Sequence, residues 1–123
     1  MISKSEIKYL KSLEKKKYRK EYNQFVVEGL RCVNELLHSS YKVEKIWVTE
    51  TFLSTHLDLK NIITSHNYEL INQEDLCYIL NTKSPQDIMA LVSMNSEEVP
   101  KIKGKSLILD NIADPGNMGT LIR

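Results

Sequence analysis

Short runs of β-branched and aromatic residues alternate with segments of helical period along most of this chain. That alternation restricts its fold more than any other feature. "QFVVEG" (24–29), "VEKIWVTE" (43–50), "NYELIN" (67–72) and "DIMALVS" (87–93) read as strands. Ser3 and Glu6 have the spacing of a capping box, opening a helix with Ile7, Leu10 and Leu13 on one side. "LRCVNELLHS" sets Leu30, Val33 and Leu37 at helical spacing, and "QEDLCYILN" turns Leu76, Ile79 and Leu80 inward. Thr49 is placed to cap a short helix, and Tyr18 to Asn23 leaves the period and stays polar. An order α-β-α-β-α-β-α-β buries itself as a sheet with helices on both faces. Residues 1–94 are therefore expected to form a three-layer α/β/α sandwich, with Trp47 in its core. Residues 95–105, "NSEEVPKIKGK", have no period and hold Pro100 and Gly104, which reads as a linker. Residues 106–123 begin again with a strand, "SLILD", a turn and a helix.

The net charge of +1 hides a division. Residues 1–20 carry +6, with only Glu6 and Glu14 acidic, and the remaining 103 residues carry −5. One end is expected to face a polyanion. Lys4, Lys8, Lys11 and Lys15 recur at steps of four, three and four, one stripe of a helix. Lys16, Lys17, Arg19 and Lys20 continue the excess, interleaved with Tyr18 and Tyr22. The stripe reads either as a solvated helix face or as an RNA contact in which lysines meet phosphates and tyrosines stack on bases. "EGLR" also admits two readings. Glu28 and Gly29 can serve only the strand-to-helix turn, or Arg31 can join the helix N-terminus as a phosphate contact. Lys83, beside the Ser84-Pro85 turn, is a further candidate.

Other classes lack support. No apolar run approaches the roughly 20 residues that span a bilayer, and the charged start is unlike a signal peptide. Cys32 and Cys77 have no CxxC spacing, and His38, His56 and His66 form no metal-binding pattern. A cytoplasmic protein with reduced thiols, without metal or membrane, is the expectation.

The last stretch, "LDNIADPGNMGTLIR", sets Asp110, Asn111, Asp114, Asn117 and Arg123 around the carboxyl end of a strand, where open α/β sheets bind ligands. It has neither GK[ST] nor GxGxxG, so a nucleotide phosphate loop is disfavoured. Turn geometry alone would also explain Pro115, Gly116 and Asn117. The stretch resembles motif 1 of the SpoU (TrmH-like) RNA 2′-O-methyltransferases, matching at Asp110, Asp114, Pro115, Asn117, Gly119 and Arg123. "FVVEGLRCVNELL" and "TKSPQDIMALV" are similar to two upstream segments of that family, with Asp87 where glycine is usual.

The resemblance implies an RNA-substrate-binding domain over residues 1–94, similar in fold to the ribosomal proteins L30e and L7Ae. Residues 106–123 would be the truncated first βα unit of an α/β knot domain. It implies an S-adenosylmethionine-dependent enzyme that methylates ribosomal or transfer RNA and is homodimeric at full length. The 123-residue chain, lacking the cofactor loops, is expected to be inactive and monomeric. Arg123 and Asn117 would be catalytic, Arg123 by positioning the 2′-hydroxyl, since a guanidinium holds its proton near neutrality. Lys8, Lys11, Lys15, Lys16, Arg19, Lys20, Glu28, Gly29 and Arg31 would be the RNA-binding residues. The alternative is a stand-alone kink-turn RNA-binding module of the L7Ae type, against which the tail argues.

Overall fold

A computed structural model describes residues 1–96 and 98–123; Glu97, inside the expected linker, lies outside the described residues. Four strands, β1 (Gln24–Glu28), β2 (Lys42–Val48), β3 (Tyr68–Leu70) and β4 (Ile88–Ser93), form one sheet in the order β1-β4-β2-β3. β2 pairs parallel with β3, and β4 runs antiparallel to both β1 and β2. The carboxyl ends of β1, β2 and β3 therefore share one rim with the start of β4. The described residues form seven helices: α1 (Lys4–Ser12), α2 (Lys16–Tyr22), α3 (Leu30–Leu37), α4 (Glu50–Thr55), α5 (Leu57–Thr64), α6 (Gln73–Leu80) and α7 (Pro115–Ile122).

Strand alternation divides the core in two. Trp47, Met89 and Leu91 face α1 and α6, packing with Leu10, Leu13, Leu76 and Ile79. Ile46, Val48, Ile88, Ala90 and Val92 face the other way, against Val33, Leu36, Phe52 and Ile63 of α3, α4 and α5. This is the three-layer arrangement expected from the alternating elements, and β4 is buried from Ile88 to Val92 because both its faces are covered. Trp47 is 2% exposed.

Several local expectations need correcting. Residues 16–22 are helical rather than irregular; α2 buries no residue, so no apolar period marks it. α1 ends at Ser12, so Lys15 is the N-cap of α2 and not the last step of the α1 stripe. Leu36, not Leu30, turns inward from α3, and α5 is a separate helix after the one capped by Thr49. Finally, 106–110 forms no strand among the described residues. A strand needs a neighbour for its N–H and C=O groups, and no described residue pairs with these. Among the described residues, no helix is long and apolar enough to cross a membrane.

Candidate nucleic-acid interface

The capping box forms as expected. Ser3 Oγ accepts from the Glu6 N–H at 3.2 Å, and Glu6 Oε2 accepts from the Ser3 N–H at 3.0 Å. Glu6 has a second task. Lys45 Nζ lies 2.8 Å from Glu6 and 2.6 Å from Glu69, fastening α1 to β2 and β3. The hydrogen bond from Lys45, followed by that from the Ser3 N–H, holds the Glu6 carboxyl down at about 2. Glu69 is lowered by the same ammonium and by the N-terminal amine. Burial pulls Lys45 down, but its bonds to Glu6 and Glu69 outweigh that and raise it.

The basic residues divide by what they touch. Lys4, Lys8, Lys15, Lys16, Lys17 and Lys20 are exposed, and none joins an ion pair among the described residues. Arg19 Nη1 instead donates to the carbonyls of Leu13 at 2.9 Å and Glu14 at 2.6 Å, satisfying oxygens that the end of α1 leaves open. Lys11 is half-buried; its Nζ donates to the Tyr78 carbonyl at 3.2 Å and lies 3.5 Å from the centre of the Tyr78 ring. The tyrosines expected to serve as stacking platforms pair with each other: Tyr18 stacks on Tyr22 at 6.3 Å, and Tyr22 meets Tyr9 edge-on at 5.0 Å.

The two upstream motifs meet at the sheet rim. Gly29, at φ 91°, donates its N–H to the Ile88 carbonyl at 3.0 Å, and Glu28 Oε1 accepts from the Gln86 N–H at 3.4 Å. Thr49 N–H reaches the Asp87 carbonyl at 2.9 Å, and Gln73 donates to the Asp87 carboxylate. Asp87 itself has φ 48°. The glycine usual there in the resembling family thus has a backbone reason, and aspartate is among the residues that tolerate this region. Arg31 and Lys83 stand exposed beside these turns.

In the last stretch, Asp114 caps α7 by accepting from the Asn117 N–H at 3.0 Å, with Pro115 opening the helix. Helix α7 therefore starts two residues before Asn117. Asn117 and Arg123 are both exposed, Arg123 as the C-cap. One residue with a place on the basic face went unnoticed in the sequence. Tyr78 is 58% exposed on α6, and an isolated tyrosine in a helical period gives no sign of which way it faces.

Residues 4–90 match the family described as the MRM3-like substrate binding domain. The chain is 33% identical over 118 residues to the 23S rRNA (guanosine(2553)-2′-O)-methyltransferase RlmP of Bacillus subtilis, covering 95% of this chain and 45% of that protein. It is 27% identical to the mitochondrial rRNA methyltransferase 3 of Xenopus tropicalis, covering 88% and 28%. Among solved structures, an RNA methyltransferase of the TrmH family from Porphyromonas gingivalis superposes with a TM-score of 0.77 at 31% identity, covering all of this chain and 47% of that one. The SpoU methyltransferase AviRb of Streptomyces viridochromogenes, in complex with AdoMet, shares the fold at TM-score 0.73 and 19% identity, covering 98% and 48%. The chain thus spans about half the length, or less, of the proteins it matches.

Proposed function

Because the chain belongs to the family of MRM3-like substrate binding domains, we propose that it is the RNA-recognising part of an S-adenosylmethionine-dependent ribose 2′-O-methyltransferase acting on ribosomal RNA. In this proposal residues 1–94 recognise the substrate, 95–105 link, and 106–123 open the catalytic domain. The match over residues 4–90 and the end of the sheet at Ser93 support that division. The relatives named above are methyltransferases, which disfavours a stand-alone kink-turn module.

The observation that carries the reading is the unpaired basic surface of α1 and α2. Lys8, Lys15, Lys16 and Lys20 are exposed, with no acidic partner among the described residues. They would meet phosphates. Arg31 would add a contact at the start of α3, whose N–H groups favour an anion, while Glu28 and Gly29 shape the rim there. Lys11 and Arg19 would contribute less, since each is engaged within the fold. Arg123 would position the reacting ribose, and Asn117 would help hold the loop. Among the described residues, 106–123 are exposed apart from half-buried Met118 and Gly119. S-adenosylmethionine enters the proposal only for a complete enzyme, to which it supplies the methyl group.

Fluorescence-anisotropy titration against a ribosomal RNA hairpin across a salt series tests this. If four to six phosphates are met, log affinity should fall against log salt with a slope of about −3 to −5. The variant Lys8→Glu/Lys15→Glu/Lys16→Glu should weaken binding to every structured RNA alike, because phosphate contacts position without reading sequence. Unchanged affinity in a folded triple variant would return these lysines to an ordinary solvated face.

A further inference from the structure

Tyr78 is the most exposed tyrosine among the described residues, at 58% against 44% for Tyr22. Lys11 clamps it, bonding its carbonyl and lying over its ring, yet 58% of the residue remains open to solvent. The pair is the common wall of two clefts. One, of about 570 Å³, is lined by Lys4, Lys8, Lys15 and Tyr18 with an apolar floor at Ile7. The other, of about 500 Å³, is lined by Cys77, Asn81, Thr82 and Lys83. Both lie in the range of small-ligand sites, about 300–1,000 Å³. Lys83 leads on to the 84–87 turn, where Gln86 meets Glu28. The Lys11–Tyr78 pair therefore joins the lysine surface of α1 to the cleft that Lys83 lines. Glu14 and Glu74 are the acidic side chains on these walls; Glu14 is engaged by Asn81 Nδ2 at 3.4 Å.

We propose that the Lys11–Tyr78 pair is a seat for one unpaired RNA nucleotide, its base stacked on the face of the Tyr78 ring opposite Lys11 and its flanking phosphates held by Lys8 and Lys15. Charge decides the occupant. A cleft with four lysines on its wall attracts a polyanion, and an open aromatic ring within it suits a polyanion that also carries flat bases. Paired bases are stacked on each other and cannot reach the ring, so the seat selects a bulge or loop nucleotide. The proposal rests on the RNA reading above and adds to it where an unpaired base is recognised.

The test titrates the 123-residue chain and its Tyr78→Ala, Tyr78→Leu and Tyr78→Phe variants against two labelled RNAs, a blunt duplex and the same duplex with a single-nucleotide bulge. Tyr78→Ala and Tyr78→Leu should lose roughly 5- to 150-fold in affinity for the bulged RNA, the range that loss of one base–aromatic stack produces. Tyr78→Phe should keep parental affinity, and binding to the blunt duplex should not change in any variant. A 2-aminopurine placed at the bulge should be quenched by the parent and not by Tyr78→Ala. The exposure of Tyr78 leaves the fold intact, and thermal melts verify this. If Tyr78→Ala and Tyr78→Leu bind the bulged RNA like the parent while Lys8→Glu/Lys15→Glu/Lys16→Glu loses it, the seat is refuted and the RNA reading stands. If the parent binds neither RNA, both fall.

Discussion

Gly29 stands at φ 91° and ψ 155°, a region closed to residues with a Cβ, and the place a Cβ would take is filled by the Gln86 amide. Gly29→Ala should cost about 1–3 kcal/mol from backbone strain alone, read by urea unfolding. Adding Gln86→Ala should relieve the collision but not the strain, so the double variant should recover only part of the loss. A Gly29→Ala protein as stable as the parent would show that the turn relaxes freely. "EGLR" was legible in the sequence as a constrained turn. Its partner was not, because Gln86 lies 58 residues from Glu28 and meets it only through the pairing of β1 with β4.

At the scale of elements, the break between α1 and α2 depends on Arg19. The buried Leu13 and the open carbonyls at the end of α1 need a donor from outside the helix, and the Arg19 guanidinium supplies it across five and six residues. Arg19→Ala should destabilise the protein by about 1.5–3 kcal/mol, the usual worth of hydrogen bonds to a charged group. Arg19→Lys should recover little, since one ammonium does not reproduce the planar fork. Thermal melts followed by circular dichroism measure both. A melting temperature unchanged in Arg19→Ala would mean that the α1–α2 corner holds itself. The four strands of the sheet and helices α1, α3 and α6 were legible from their periods, whereas α5 was not, and the strand expected over 106–110 does not form among the described residues. Helix α2 was not, because a helix that buries nothing leaves no apolar period to read.

Across the whole molecule, the Glu6–Lys45–Glu69 chain ties helix α1 to the two strands β2 and β3. Its carboxylates titrate below their ordinary value of 4.5, Glu6 at about 2. A lowered carboxylate stabilises the fold above its unfolded value, and that contribution is lost as pH falls through the folded one. Unfolding free energy, read by urea titration across a pH series, should thus drop between about pH 4.5 and 2. Glu6→Gln should flatten the drop by on the order of 1 kcal/mol, after discounting for water at a side chain 38% exposed. A Glu6→Gln profile parallel to the parent's over that window would remove Glu6 from the account. The sequence by itself determined the capping box, the four strands of the sheet, the layered α/β class and the motifs, because each is a local pattern of period, cap or spacing. Tertiary structure alone decided that β4 inserts between β1 and β2, that Lys11 and Arg19 turn to the fold while Lys8, Lys15, Lys16 and Lys20 face solvent, and that Tyr78 rather than Tyr18 stands open. Those outcomes depend on which distant surfaces meet, and a lysine or tyrosine has the same local signature whether it packs or stands free.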